Sequence, residues 1–134
     1  MSESQSAIAK LLADVRARLP HRPEPAELEA LIDAGGLVVD IRPEDLRQRD
    51  GELPGALVVG RNVLEWRLDP TSPDRLPQVT GHDQLMVIVC DEGYASTLAA
   101  ETLQRIGLTE ATDLDGGFQE WLMWSGLRRD PGQP

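Results

Sequence analysis

The only cysteine of the chain, Cys90, follows an apolar run of strand-forming residues and comes just before a segment with helical spacing. The sequence across this junction reads LMVIVCDEGYAS. The first N–H groups of a helix have no intrahelical partner, and the helix dipole adds partial positive charge at the same end. A cysteine held there is favoured as the thiolate, which is its nucleophilic form. The pattern predicts a reactive thiol in an anion-binding turn, although a buried, inert cysteine at the end of a strand is the alternative.

The residues that follow the cysteine modify this chemistry. Gly93 suits a backbone that curls tightly and turns its N–H groups inward. Asp91 and Glu92, if exposed, repel small anionic substrates and weaken the stabilisation of negative sulfur, or they attract a basic patch on a partner protein. Ser96 and Thr97 could cap the following helix or donate a hydroxyl to a bound group.

The elements that must position this turn alternate between strand and helix patterns. Buried strands are predicted at residues 37–41, 55–59, 85–89 and 111–114. Helices are predicted at residues 4–19, 25–34, 43–49, 62–68, 95–106 and 118–126, with Asn62 as an N-cap. This alternation predicts a parallel sheet covered on both faces, with ligands bound beyond the carboxyl ends of the strands. Cys90 falls at such an end.

Size and composition narrow the classes of protein. A chain of 134 residues fits one domain, and its single cysteine excludes an internal disulfide. The formal net charge of −10 argues against nucleic-acid partners and anionic membrane surfaces. No apolar run approaches the roughly 20 residues of a membrane span, and the N-terminus lacks a secretory pattern. We expect a cytoplasmic location.

Four stretches, in the right order, resemble motifs of the rhodanese family. Residues 90–96, CDEGYAS, look like its active-site loop C-x-x-G-x-x-S/T. Residues 39–42, VDIR, look like its V-D-x-R strand end, and residues 51–56, GELPGA, are similar to its G-H-I-P-G-A turn. Residues 113–121, DLDGGFQEW, resemble its closing L-x-G-G-x-x-x-W signature. The likeness covers residues 24–127.

The resemblance implies an α/β fold with about five parallel strands and helices on both faces. It also implies a cysteine that takes sulfane sulfur from thiosulfate or a persulfide donor, carries it as a persulfide, and passes it to a thiol or protein acceptor. The implied nucleophile is Cys90, and no cofactor or metal is implied. The implied binding loop supplies backbone N–H groups from Asp91, Glu92, Gly93, Tyr94, Ala95 and Ser96.

The resemblance extends to the surroundings of the loop and to the division of the chain. Asp40 and Arg42 are expected to organise the neighbouring loops, with Arg42 paired to an acid. We expect an N-terminal helix with a Pro-rich connector at 1–22, the rhodanese-like domain at 23–127 and a tail at 128–134. The apolar stripe of the N-terminal helix could pack on the domain or pair with a second copy or another protein. The chain is expected to be a monomer or a homodimer.

The sequence departs from the family pattern in its charges. Positions where active members often carry a basic residue are Asp91 and Ala95 here, and Glu52 replaces the usual His of the turn. The positive potential is therefore expected to come from backbone dipoles, with three arginines as candidates for help: Arg42, Arg61 and Arg67. Thiosulfate, a dianion, is expected to bind weakly, so that a protein or small-molecule persulfide is the favoured donor.

Two other functions share features with this pattern. A cysteine phosphatase requires C-x5-R, because an arginine grips the phosphate, and here the sixth residue after the cysteine is Ser96. A binding or regulatory module would keep the fold without useful turnover. The acidic loop with Ala95 favours the module, whereas the presence of Cys90 favours the enzyme.

Overall fold

Helices and strands alternate along the chain, as the sequence pattern predicts. The structure is a computed structural model in which residues 6–127 are described. The helices are α1 (Ala7–Arg18), α2 (Leu28–Asp33), α3 (Glu44–Asp50), α4 (Leu64–Leu68), α5 (Ala95–Arg105) and α6 (Gly117–Ser125). The strands are β1 (Leu37–Asp40), β2 (Leu57–Val58), β3 (Met86–Val89) and β4 (Ala111–Asp113). Single 3-10 turns, Pro25–Glu27 and Arg61–Val63, precede α2 and α4.

The four strands form one parallel sheet in the order β2-β1-β3-β4. The expectation of about five strands is wrong for residues 6–127, which contain four. The connector after α1 runs beside the β4 edge and accepts one backbone hydrogen bond, from the Asp115 N–H to the Pro23 carbonyl at 3.0 Å. Pro20 and Pro23 have no N–H to donate, so this edge cannot gain a regular fifth strand.

The sheet buries apolar side chains on both faces, because successive residues of a strand point to opposite sides. Val38 and Val87 pack with Phe118 of α6 on one face. On the other face, Val39 and Ile88 belong to a second cluster that includes residues of α4 and α5. The predicted α/β fold with a parallel sheet covered on both faces is confirmed.

Helix α1 packs on α5, outside the layer that touches the sheet. It begins behind Ser6, whose side chain accepts a hydrogen bond from the Ala9 N–H at 3.2 Å. Its apolar stripe is buried through Leu12 and Val15, whereas Ile8 stays 53% exposed. The stripe therefore packs on the domain, as one of the two sequence alternatives expected.

Several predicted boundaries differ from those in the structure. Asn62 is not an N-cap, because it lies inside a 3-10 turn and Val63 precedes α4. The strand predicted at 55–59 shortens to two residues, and Gly55 before it has a positive φ of +80° that a regular strand does not adopt. Residues 4–5 of the predicted first helix, and the predicted tail at 128–134, lie outside the described residues. Among helices within 6–127, none has the length and apolar character needed to cross a membrane.

Candidate active site

Cys90 lies directly after β3, at the carboxyl end of the sheet, where the chain turns toward α5. Its side chain is a free thiol and the residue is 8% exposed. It borders a cavity of about 300 Å³. The other residues that line this cavity are Ile41, Arg42, Pro43, Leu46, Arg61, Asp91, Glu92, Tyr94 and Ala95. The thiol is therefore covered by protein on most sides but borders a space large enough for a small ligand.

Two main-chain N–H groups of the loop donate to the sulfur. The Gly93 N–H lies 3.1 Å from Sγ, and the Ser96 N–H lies 3.3 Å from it. The thiol itself donates to the Ser96 hydroxyl at 3.2 Å. The hydrogen bonds of residues 6–127 include none to Sγ from the N–H groups of the other four loop residues: Asp91, Glu92, Tyr94 and Ala95.

The turn can close this tightly because two glycines face each other. Gly93 has φ +88° and Gly117, the first residue of α6, has φ +67°, both in the region that favours glycine. A Cβ atom added at Gly117 would lie 2.6 Å from the Gly93 nitrogen and 2.8 Å from the Cys90 carbonyl oxygen. The Phe118 N–H also donates to that carbonyl at 2.8 Å. Helix α6 therefore fixes the back of the cysteine loop.

A buried carboxylate, Asp113 at the end of β4, organises the first turn of α5. It accepts hydrogen bonds from the hydroxyls of Ser96 at 2.7 Å and Thr97 at 2.9 Å. Neither hydroxyl caps the helix, because Tyr94 is the N-cap residue and both lie inside the first turn of α5. Arg22, from the connector after α1, pairs with Asp113 at 2.7 Å. Burial opposes the charge of Arg22, but the hydrogen bonds and charges of Asp113 and Asp115 outweigh it and raise the pKa of Arg22.

Asp40 and Arg42 form a buried ion pair at the end of β1, with N–O contacts of 2.8 to 3.1 Å. The Arg42 guanidinium also donates to the Gly51 carbonyl at 2.9 Å and lies 3.5 Å from the centroid of the Phe118 ring. A cation over a ring face is attracted by the ring quadrupole. The pair joins β1, the turn after α3 and α6 below the cavity.

The acidic residues of the loop differ in their surroundings. Asp91 accepts a hydrogen bond from the Gln119 amide at 3.0 Å and lies 3.9 Å from an Arg49 nitrogen. Gln119 also donates to Asp50 at 2.9 Å. The hydrogen bond from Arg49 is the main reason that the pKa of Asp50 lies below its usual range. Glu92 is exposed on the rim, so it is the acid that an approaching anion would meet.

The three arginines that the sequence offered as sources of positive charge each have a partner outside the cysteine loop, although the buried Nη1 of Arg42, which lines the cavity, has no hydrogen-bond partner within residues 6–127. Arg42 is paired with Asp40, and Arg61 lies 3.0 Å from Glu65. Arg67 donates to the Asp74 carbonyl at 2.7 Å. No group of three or more His, Cys, Asp or Glu side chains within residues 6–127 is arranged to hold a metal ion.

Sequence reasoning missed two residues that contact the loop. In the sequence, Asp113 stands out only as part of the glycine signature at residues 113–121. Arg16 of α1 donates to the Gly93 carbonyl at 2.6 Å and was not singled out at all. Its signal was present in the sequence, because Arg16 stands four residues after Leu12 on the buried stripe of the helix. A charged residue at such a position requires a polar partner.

The fold and the cysteine turn define an α/β protein with a thiol at the carboxyl end of a central strand. The family model "Rhodanese-like domain" matches residues 24–123, and the chain belongs to this family. The match lies within the domain predicted at 23–127. The four motifs of the sequence, in register, therefore identified the family correctly.

Two of three similar proteins are named as sulfurtransferases, and the third is described differently. The chain is 30% identical over 97 residues to "Thiosulfate sulfurtransferase GlpE" of Pseudomonas fluorescens Pf-5, covering 72% of this chain and 80% of that relative. It is 30% identical to a Rhodopseudomonas palustris protein of unknown function described as "Possible Tyrosine Phosphatase", with a TM-score of 0.76 over 93% of this chain and 96% of that one. The human single-domain sulfurtransferase TSTD1 is 24% identical and shares the fold, with a TM-score of 0.63 over 76% and 95% of the two chains.

Proposed function

We propose that this chain is a sulfurtransferase or sulfane-sulfur carrier that acts through a persulfide on Cys90. The observation that carries the proposal is the pair of N–H groups, from Gly93 and Ser96, that donate to Sγ beside an open cavity. Donors fixed at hydrogen-bond distance stabilise a negative sulfur without reorganising during the reaction. The likeness to a thiosulfate sulfurtransferase supports the same chemistry.

Sulfur transfer proceeds in two displacements. The Cys90 thiol first loses its proton to water, and the thiolate attacks the outer sulfur of a donor R–S–S⁻. The Sγ–S bond forms while the donor S–S bond breaks, and the donor leaves as R–S⁻. An acceptor thiolate then attacks the outer sulfur of the Cys90 persulfide, takes that sulfur, and restores the Cys90 thiolate. One sulfur atom moves and no external oxidant or reductant is consumed.

The loop has further main-chain N–H groups that could donate to the outer sulfur of a persulfide. Four of its N–H groups, at residues 91, 92, 94 and 95, do not donate to Sγ, and the outer sulfur of a persulfide would extend into the cavity that these residues line. Residues 91–96 together form the proposed binding loop for the persulfide. Asp40 and Arg42 form no hydrogen bond to Sγ and support the loop indirectly, because Arg42 packs on Phe118 of α6.

The charges of the cavity favour a monoanionic organic persulfide over thiosulfate as the donor. Ile41, Leu46 and Tyr94 give the cavity apolar walls. Its two arginines are paired with carboxylates, and Glu92 adds negative charge at the rim. Within residues 6–127 the buried Nη1 of Arg42 has no hydrogen-bond partner, but the charge of this guanidinium is already paired with Asp40. A dianion would therefore lose hydration in the cavity and gain less than it would beside an unpaired cation.

The test is to incubate the protein with a small organic persulfide, and separately with thiosulfate, and to measure the intact mass. We expect an added mass of about 32 Da, one sulfur atom, that a thiol acceptor removes. The increment should form faster from the organic persulfide. Cys90→Ala should not acquire it. An increment that persists in Cys90→Ala, or no increment from either donor, would refute the proposal.

The two alternatives fare differently. A module without turnover would also keep the fold, and the absence of any mass increment is the result that favours it. The phosphatase reading lacks its arginine, because Ser96 occupies the sixth position after Cys90 and its hydroxyl is bound to Asp113. The cytoplasmic location and the monomeric or homodimeric state remain predictions from the sequence.

A further inference from the structure

Helix α1, which lies before the residues matched by the family model, reaches the cysteine loop through Arg16. The Arg16 guanidinium donates to the Gly93 carbonyl at 2.6 Å and to the Thr97 hydroxyl at 3.2 Å. It also lies 5.8 Å from the centroid of the Tyr94 ring. Arg16 therefore contacts three residues around the turn that holds the sulfur.

Arg16 forms no ion pair within residues 6–127: the Thr97 hydroxyl separates it from Asp113, and that carboxylate is already paired with Arg22. Among the salt bridges of residues 6–127, Arg42 pairs with Asp40 and Arg61 with Glu65, whereas Arg16 has no acidic partner. Its bonds go to a main-chain carbonyl and a hydroxyl, which are neutral. The positive charge of a half-buried guanidinium is therefore directed at the loop itself.

Arg16 also holds the Gly93 peptide in the orientation in which its N–H donates to the Cys90 sulfur. The Gly93 N–H donates to the Cys90 sulfur, and the Gly93 carbonyl accepts from Arg16, so both main-chain groups of this residue are held. Gly93 has φ +88°, the left-handed conformation on which the shape of the turn depends. Hydrogen bonds to a charged donor are stronger than neutral ones, so the arginine opposes rotation of this peptide away from the sulfur.

A second arginine of the same N-terminal segment removes an opposing charge. The Asp113 carboxylate is separated from the Cys90 sulfur only by the Ser96 hydroxyl, at 2.7 Å and 3.2 Å on its two sides. Arg22 pairs with this carboxylate. The charged groups around the sulfur come from the loop, the end of β1 and the residue that pairs there, the end of β4, α1, the connector and the turn before α4: Asp91, Glu92, Asp40, Arg42, Asp113, Arg16, Arg22 and Arg61.

We propose that Arg16 is a positioning residue of the sulfur-binding turn and supplies the fixed cation that the turn itself lacks. Helix α1 is then part of the active site rather than an appendage to the domain. The role in sulfur transfer rests on the proposed function of Cys90. The role in holding the turn can be measured independently of it.

The test compares Arg16→Gln and Arg16→Lys with Arg18→Gln in the full chain. Arg18 is the matched control, because it lies on the same helix but binds only Asp14 and Glu101. The first measurement is the pH profile of alkylation of the single thiol by iodoacetamide. We expect Arg16→Gln to move its midpoint up by about one pH unit, equivalent to a tenfold loss of thiolate. Arg16→Lys should shift the midpoint less, since lysine keeps the positive charge but cannot donate to both Gly93 and Thr97 from a planar guanidinium.

The second measurement is the rate of persulfide formation from an organic persulfide. We expect Arg16→Gln to slow it about tenfold at neutral pH, and Arg18→Gln to match the wild type in both measurements. Thermal melting of each variant identifies any that fail to fold, in which case Arg16→Lys decides the test. An unchanged alkylation profile and an unchanged rate in the Arg16 variants would overturn the role of Arg16. A wild-type protein that alkylates normally but forms no persulfide would instead overturn the proposed function.

Discussion

Replacing Gly117 by alanine should separate the cysteine loop from the helix behind it. The added Cβ would lie 2.6 Å from the Gly93 nitrogen and 2.8 Å from the carbonyl oxygens of Cys90 and Asp91. All three are main-chain atoms, so no side-chain rotation relieves the contact. Gly126, at the other end of α6, is the matched control, because its φ of +76° is similar but nothing lies within 4 Å of its added Cβ.

The expected loss of stability follows from a comparison of Gly117→Ala with Gly126→Ala. A left-handed conformation costs an alanine about 1–2 kcal/mol, and both variants bear that cost. Forcing an extra carbon into a packed site adds about 1–3 kcal/mol, which only Gly117→Ala bears. We therefore expect Gly126→Ala to lower the free energy of unfolding by about 1–2 kcal/mol and Gly117→Ala by about 2–5 kcal/mol. The second value is a large share of the total stability of a small domain.

Urea denaturation of the two variants measures this difference, and intact mass after treatment with an organic persulfide reports the site. In Gly117→Ala the displaced Gly93 N–H should no longer donate to the Cys90 sulfur, so persulfide formation should slow more than the loss of folded protein explains. Gly126→Ala should react like the wild type. Equal stabilities and equal persulfide yields in the two variants would refute the close contact between α6 and the loop.

Three further predictions concern charges. Arg42→Met should lower the free energy of unfolding by about 3–5 kcal/mol in urea denaturation, because it strands Asp40 in the interior, and adding Asp40→Asn should recover much of this. Burial opposes the charge of Glu65, but bonds from the Thr102 hydroxyl, its own backbone and Arg61 lower its pKa. Its contribution to stability is present above its ordinary value of 4.5 and is lost as pH falls below it, so Glu65→Gln should flatten the acid limb of a melting-temperature profile. Glu92→Gln should speed persulfide formation from thiosulfate about two- to fivefold at low salt and little at 1 M salt, whereas Glu110→Gln, before β4 at the opposite end of the sheet, should not.

Each of these charge predictions has a result that contradicts it. A double variant at residues 40 and 42 no more stable than the single one would mean that Arg42 acts through packing rather than charge. An acid limb unchanged by Glu65→Gln would exclude that carboxylate as a source of acid lability. If Glu92→Gln and Glu110→Gln sped persulfide formation from thiosulfate equally, the effect would come from the net charge of the whole protein and not from the position of Glu92 at the cavity rim.

The local features of the fold were accessible from the sequence because their causes are local. The run ending at Cys90 has no polar residue before the cysteine, and the run ending at Ile41 has only Asp40 among its apolar residues, so both predict strands buried on both sides. The helix after the cysteine follows from its apolar spacing. The family motifs then identified the turn, since Cys90 and Gly93 stand at fixed positions within a few residues of each other.

The contacts that complete the site were not accessible, because they join distant parts of the chain. Arg16 and Gly93 are 77 residues apart, and Arg22 and Asp113 are 91 apart. Spacing along the sequence carries no information on which helix will cover α5. The strand count failed for a different reason: the family likeness implied about five strands, but Pro20 and Pro23 deprive the connector of the N–H groups that a ladder requires.

For the proposed sulfur transfer through Cys90, the small exposed fraction of this residue sets the order of events. With 8% of the residue exposed, a donor and an acceptor cannot reach the sulfur together. The first product must depart before the second reactant arrives, so the steady-state kinetics should follow a ping-pong scheme. Each reactant, at high concentration, should then inhibit by occupying the form of the protein that the other one needs.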